Sequence, residues 1–229
     1  RGEVDLSFGI YYELDVTKPW VALLPGSRRG EIKANLWELL RAAIELGNEY
    51  EFLIPIAPTV SEETLSWMRQ EAWEQLTDEP NPPRITFVRD ARAALLHSRA
   101  AVVASGTATV QAAVIGTPFV VVYRVSNLTF RMAKALVKYP PEIPAQEDEH
   151  GNLPIAMVNL IARRRAVPEL IQEQFTAANV TAALKPLLAD TPQREEQMEA
   201  LAEVRRRLLS PTERTAIESL RDAVLEALA

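Results

Sequence analysis

Short runs of apolar residues alternate along most of this chain with longer segments in which apolar residues recur every three or four positions. A short run is typical of a buried β-strand, and the longer recurrence is typical of an amphipathic helix. Pro25-Gly26 and Gly116-Thr117-Pro118 are turn signals that separate such segments. The predicted strands cover residues 21–24, 51–56, 84–88, 100–104 and 119–123, and the helices between them cover 31–46, 61–76, 90–98 and 105–115.

This alternation predicts a parallel β-sheet with helices on both faces. Because crossovers between parallel strands are right-handed, we expect the α/β class: a Rossmann-like, three-layer domain with a mostly parallel sheet from about 20 to 190. Residues 1–19 show no clear period and are expected to be a linker or a truncated segment. Residues 191–229 predict two C-terminal amphipathic helices, separated by Ser210-Pro211, that bury their apolar stripes on this domain or on a partner.

Composition narrows the function classes. The apolar fraction of 48% and the charged fraction of 24% are ordinary for a globular protein. A net charge of -6 argues against nucleic acid as a partner of the whole surface. The sequence has no cysteine and two histidines, His97 and His150, which excludes thiolate catalysis, zinc–cysteine sites and His-rich metal sites. No apolar run approaches the roughly 20 residues of a membrane span.

Two loops that follow predicted strands carry residues suited to an anion. The first, residues 25–31, combines glycine, a serine hydroxyl and arginine side chains. The second, Ser105-Gly106-Thr107, opens a helix, where backbone N–H groups and the positive end of the helix dipole attract negative charge. Each loop alone is better explained as a turn or a helix cap than as a binding site. Ligands of parallel sheets bind beyond the carboxyl ends of the strands, so the two loops together predict a diphosphate site.

Other nucleotide and hydrolase chemistries lack their sequence signatures. Neither loop matches a P-loop or the GxGxxG fingerprint, which argues against ATPase and dehydrogenase functions. No GxSxG elbow is present either. His97 lies in a predicted helix among small residues and is expected to be a packing or surface residue, and His150 is expected to be exposed in an acidic loop.

The loops also resemble those of a known family. Residues 23–31, Leu-Leu-Pro-Gly-Ser-Arg-Arg-Gly-Glu, resemble the opening of the donor-binding domain of lipid-A-disaccharide synthase, and residues 104–109, Ala-Ser-Gly-Thr-Ala-Thr, resemble its second signature. Segments 118–125 and 159–170 follow in the family's order. The resemblance implies one half of a GT-B glycosyltransferase, in which two Rossmann-like domains face each other across a cleft. This chain would be the C-terminal, nucleotide-sugar-binding half.

The resemblance implies a specific reaction. The family transfers 2,3-diacylglucosamine from UDP to 2,3-diacylglucosamine 1-phosphate with inversion, giving the lipid A disaccharide 1-phosphate and UDP. It implies no metal and no cofactor other than the UDP-sugar donor, because arginine and a helix N-terminus can stabilise the leaving diphosphate. The implied location is the cytoplasm, with peripheral contact at the inner membrane. The acceptor-binding half carries the family's general base, so this chain alone is expected to bind UDP without turnover.

Site residues follow from the same resemblance. Arg28, at the diphosphate or donor sugar, and Asn159, at the donor sugar, are the catalytic candidates. Gln111 stands where the family usually has an acidic residue for ribose hydroxyls, and an amide is a weaker acceptor. Arg164 and Glu169 match family positions and fit a salt bridge as well as a ligand contact. The remaining donor-binding candidates are Ser27, Ser105, Gly106 and Thr107 at the diphosphate and Val88 and Arg89 beside uracil.

Two other functions remain open at this point. Another GT-B UDP-sugar transferase or epimerase would share the sheet and the diphosphate loops. A non-catalytic nucleotide-binding or assembly module is favoured by Gln111 and by the C-terminal helices, which would also support a homo-oligomer.

Residues 127–139 predict a basic amphipathic helix that fits either an anionic bilayer or an ordinary protein surface. Arg163 stands where the family commonly has glycine.

Overall fold

A computed structural model of the chain describes residues 6–126, 129–130 and 147–209. The strands form one six-stranded sheet in the order β3-β2-β1-β4-β5-β6, and every neighbouring pair is parallel. The strands are β1 Trp20–Leu24, β2 Glu51–Pro55, β3 Arg84–Val88, β4 Ala100–Ala104, β5 Phe119–Tyr123 and β6 Glu169–Ile171. The helices are α1 Leu6–Tyr11, α2 Arg29–Leu46, α3 Glu62–Thr77, α4 Ala91–His97, α5 Thr107–Ile115, α6 Met157–Ala162, α7 Ala177–Leu188 and α8 Pro192–Leu209.

The sheet is buried on both faces, which explains the unbroken apolar runs in its strands. Successive residues of a strand point to opposite faces. Val21 and Leu23 of β1 face the layer that contains α2, α3 and α7, whereas Ala22 faces the layer that contains α5, α6 and α8. The predicted Rossmann-like, three-layer α/β fold is therefore confirmed.

The sixth strand is an addition to the sequence prediction. β6 has three residues and pairs with β5, with Glu169 opposite Val121. Its first residue is a buried glutamate, so the sequence offers no apolar run that would mark a strand.

The domain extends beyond both of its predicted boundaries, residues 20 and 190. Within the supposed linker 1–19, α1 packs on the sheet, and the ring of Phe8 lies 6.1 Å from that of Trp20. Beyond residue 190, α8 joins the core through Leu201 and Val204. Its Gln197 side chain also replaces a strand partner: Oε1 accepts from the backbone N–H of Phe119 at 2.8 Å. Residues 6–19 and α8 therefore belong to the domain.

Several expectations fall on residues that the structure does not describe. These are the second C-terminal helix, from 210 onward, and nearly all of the basic segment 127–139. Contact with a membrane surface and assembly through the C-terminal helices therefore stay predictions. Within the described ranges, every helix is too short or too polar to traverse a bilayer.

Candidate functional site

The strand order predicts a crevice between β1 and β4. These two strands are neighbours, but the sheet continues from β1 to β2 on one side and from β4 to β5 on the other. The chain leaves β1 for α2 on one face and leaves β4 for α5 on the opposite face. The loops at the carboxyl ends of β1 and β4 therefore flank an opening, on strands about 4.8 Å apart. Such a reversal of strand order is where open α/β sheets bind their ligands.

The first loop is folded around a carboxylate. The backbone N–H groups of Ser27 and Arg28 both donate to Oε2 of Glu31, at 3.1 and 3.3 Å, and Nη1 of Arg28 lies 2.9 Å from Oε1. Gly26 has a φ of 117°, and a Cβ there would lie 2.7 Å from Oε2 of Glu31. Only glycine fits both the backbone angle and the close approach of the carboxylate. The side chain of Arg28 is 84% exposed and extends from the loop toward solvent.

The second loop presents the start of a helix to open space. Gly106 is the N-cap of α5, and no side chain caps the helix there. A Cβ on Gly106 would have no heavy atom within 4 Å, so the space above the helix start is open. Thr109 secures the turn from below, because its hydroxyl donates to the carbonyl of Gly106 at 2.7 Å. The exposed Thr107 and the first backbone N–H groups of α5 thus border the crevice.

The loop after β3 lies two strands from β1, about 10 Å away along the same edge. Val88 is wholly buried, so its side chain is unavailable to a ligand. The backbone N–H of Arg89 donates to the hydroxyl of Tyr12 at 2.9 Å, and its guanidinium lies 3.3 Å from Glu62. Tyr12 belongs to the segment that the sequence assigns to a linker and is a contact that sequence analysis missed.

Sequence comparison identifies the family of this chain. A family model described as lipid-A-disaccharide synthetase matches residues 10–224. The chain belongs to the lipid-A-disaccharide synthetase family. Its similar relatives include the lipid-A-disaccharide synthase of Acidobacterium capsulatum, 48% identical over 211 residues, which cover 89% of this chain and 49% of that protein. The synthase of Koribacter versatilis is 46% identical over 219 residues, 95% of this chain and 52% of that protein.

The chain therefore spans about half the length of the lipid-A-disaccharide synthases that it matches. Its fold is also similar to that of the spinosyn rhamnosyltransferase SpnG, with a TM-score of 0.52 at 16% identity. That alignment covers 92% of this chain and 45% of the solved chain. The similarity confirms the predicted likeness to glycosyltransferases of Rossmann-like architecture.

Asn159, which the family resemblance assigns to the donor sugar, is wholly buried in this family member. Its Nδ2 donates to the carbonyl of Val167 at 3.0 Å, and its Oδ1 accepts from the backbone N–H of Val167 at 2.9 Å. Both amide atoms thus hold the loop that leads into β6. These bonds give Asn159 a structural role, and its contact with the donor sugar stays a prediction.

The other two family-matched polar residues form salt bridges. Arg164 lies 3.1 Å from Glu203 of α8, and Glu169 lies 3.1 Å from Arg165. Burial raises the pKa of Glu169, although the backbone N–H groups that it accepts from, including that of Ala156, act in the opposite direction. Of the two interpretations left open by the sequence, this geometry favours the salt bridge for both.

Gln111 lies one helical turn after Thr107 on α5 and is exposed. Residues four apart share a helix face, so Gln111 and Thr107 border the same side of the crevice. The amide oxygen can accept a hydrogen bond from a hydroxyl there.

A second concavity lies at the opposite edge of the sheet. It has a volume of about 640 Å³ and is lined by residues that precede β1, β4 and β5. Its arginines bind their own chain: Nε of Arg99 donates to the carbonyl of Leu188 at 3.0 Å, and Nη1 of Arg194 donates to that of Arg99 at 2.8 Å. We place the candidate site at the carboxyl edge, because ligands of parallel sheets bind there.

The histidines lie as expected. His97 packs near Phe8 and Trp20, at ring distances of 5.9 and 6.4 Å, and the side chain of His150 is 54% exposed. In the described part of the chain, no cluster of three or more His, Asp or Glu residues is arranged to hold a metal ion.

Proposed function

We propose that this chain is the UDP-donor-binding half of a lipid-A-disaccharide synthase. The complete enzyme would transfer 2,3-diacylglucosamine from UDP to 2,3-diacylglucosamine 1-phosphate, with inversion at the anomeric carbon. Membership of the family supports the activity. The loops at 25–28 and 105–107 support the assignment to the donor half, because both carry residues suited to an anion and both leave the sheet at the reversal of strand order.

The diphosphate would bind between the two loops. The guanidinium of Arg28 is exposed at one side of the crevice and can donate to two phosphate oxygens at once. The hydroxyl of Ser27, in the same loop, is a second donor. On the other side, the N–H groups at the start of α5 and the helix dipole favour negative charge. Gly106 keeps this side free of a Cβ that would stand between the helix and a phosphate.

The rest of the donor would extend along the same edge. Uracil would lie against the backbone of Val88 and Arg89, because the Val88 side chain is buried. The ribose hydroxyls would donate to Gln111, which shares its helix face with Thr107.

The transfer step then follows from charge. A hydroxyl of the acceptor sugar attacks the anomeric carbon from the face opposite the diphosphate, so a new C–O bond forms as the bond to the β-phosphate oxygen breaks. The electron pair of the broken bond stays on that oxygen. Arg28 and the start of α5 stabilise the developing negative charge. The proton of the attacking hydroxyl passes to a base that the proposal assigns to the acceptor-binding half.

Calorimetric titration with UDP tests the assignment. Losing one charge-assisted contact of about 1.5–3 kcal/mol is expected to weaken binding about 10- to 150-fold in Arg28→Ala. Arg41→Ala is the matched control, because Arg41 is exposed on α2, the helix that Arg28 caps, about 20 Å farther along. This variant should bind UDP as the unsubstituted chain does. UDP binding that is absent, or equally strong in Arg28→Ala, would overturn the donor-site assignment.

A non-catalytic nucleotide-binding module is the second candidate. The neutral Gln111 in place of an acidic residue favours it, because an amide binds ribose hydroxyls more weakly than a carboxylate does. Mixing the chain with a separately expressed acceptor-binding half distinguishes the two. Formation of the disaccharide supports the transferase; UDP binding without disaccharide supports the module. A disaccharide product from UDP-sugars other than diacylglucosamine would favour another GT-B enzyme.

A further inference from the structure

The carboxylate of Glu31 is the center of the first loop, although neither the family resemblance nor the anion-binding pattern singles it out. Oε2 accepts from two successive backbone N–H groups, those of Ser27 and Arg28, and Oε1 accepts from the guanidinium of Arg28. One carboxylate thus joins the backbone of the loop to the side chain that the proposed function assigns to the diphosphate.

Residues of α2 fix the position of the Glu31 carboxylate. Glu31 lies in the first turn of α2, and the next residue, Ile32, is buried in the core. One turn further along, the buried Asn35 donates to the carbonyl of Pro25 at 2.8 Å and holds the start of the loop. On the other side, the missing Cβ of Gly26 leaves room for the carboxylate. The loop and Glu31 are therefore a fitted pair.

The contact with Glu31 orients the guanidinium of Arg28 and leaves most of its N–H groups available to a ligand. An exposed arginine samples many rotamers, and ordering it on a ligand lowers the binding affinity. The side chain of Arg28 is 84% exposed, so packing does little to restrict it. Glu31 engages one of its five N–H groups and leaves others to donate to a phosphate.

From this geometry we infer that Glu31 is a positioning residue for the donor diphosphate: it holds Arg28 in the orientation that binds UDP. The inference rests on the proposed function. It runs against simple electrostatics, because a carboxylate beside a diphosphate repels it. A carboxylate that merely filled the site would compete with UDP, and one that merely capped α2 would affect stability alone.

UDP affinities of Glu31→Gln, Arg28→Ala and the double variant separate these roles. Glutamine keeps an oxygen that can accept from the loop N–H groups, but it loses the charge that holds the guanidinium. We expect Glu31→Gln to weaken UDP binding about fivefold, the cost of ordering one long side chain. In the Arg28→Ala background, the same substitution should change the affinity by less than about twofold, because the side chain that it positions is gone.

Glu63→Gln is the matched control. Glu63 lies 3.0 Å from Arg29, so the substitution removes a similar exposed ion pair beside the site while leaving Arg28 and Glu31 paired. Its UDP affinity should match that of the unsubstituted chain.

Three results would overturn the inference. Equal or tighter UDP binding in Glu31→Gln would mean that the carboxylate has no positioning role or competes with the ligand. An equal loss in both backgrounds would mean that Glu31 acts through the backbone of the loop and independently of Arg28. An unsubstituted chain that binds no UDP would overturn the proposed function and this inference with it. This outcome differs from the first two, because in them the unsubstituted chain still binds UDP.

Discussion

Replacing Asn159 by alanine tests the role that the structure gives this residue. The substitution removes both hydrogen bonds to Val167 and leaves a backbone N–H and a carbonyl without their partner in a buried region. Each bond contributes about 0.5–1.5 kcal/mol, and each stranded buried group costs about 1–3 kcal/mol, so a net loss of about 2–4 kcal/mol in unfolding free energy is expected. For a chain of this size, that corresponds to a Tm lower by roughly 5–15 °C.

Urea denaturation followed by circular dichroism measures the loss, and a UDP titration of the folded variant completes the test. Asn48→Ala is the control, because Nδ2 of Asn48 donates to Asn81 at the surface, at 2.8 Å. We expect this control to change stability by less than about 0.5 kcal/mol. Normal stability of Asn159→Ala combined with lost UDP binding would refute the structural role and support the contact with the donor that the sequence predicts.

Three further predictions use the same denaturation assay. Gly26→Ala should destabilise the chain by about 1–3 kcal/mol, because Gly26 has a φ of 117° and an added Cβ would meet Glu31. Gly30→Ala should instead stabilise the chain by about 0.5–1 kcal/mol, because Gly30 lies in α2 and an added Cβ there meets nothing. Equal effects of the two substitutions would contradict the loop geometry. Arg163→Gly should stabilise the chain by about 0.5–1 kcal/mol, because Arg163 adopts a left-handed φ of 57°; a loss of stability would refute this. Burial raises the pKa of the Glu169 carboxyl above its usual 4.5. The folded chain therefore holds the carboxyl proton more tightly than the unfolded chain does. The contribution of Glu169 to stability should be lost as pH rises through the raised pKa. Glu169→Gln should remove this part of the pH dependence, and an unchanged pH profile would contradict it.

The central sheet could be predicted because its strands are buried on both faces and therefore read as unbroken apolar runs. β6 could not, because three residues that begin with a buried glutamate carry no such signal. The packing of α1 also escaped prediction. It depends on Phe8 meeting Trp20, a contact between segments that local sequence patterns do not record.

The candidate site was predictable in its outline. One predicted strand is followed by glycine, serine and arginine, and another is followed by Ser105-Gly106-Thr107. These residue types indicate an anion even when the order of the strands in the sheet is unknown. The partners of these residues depend on helix geometry. Glu31 was detectable in principle as an acidic residue in the first turn of a helix, whereas the closure of Asn159 onto Val167 requires the three-dimensional path of the loop.

Amide chemical shifts recorded during a UDP titration locate the donor site, because binding at each edge of the sheet would shift a different set of residues. Binding in the crevice predicts the largest shift changes at Ser27, Arg28 and residues 105–107. Changes concentrated at the opposite edge, around Arg99 and Thr117 in the 640 Å³ cavity, would contradict a donor site at the carboxyl edge.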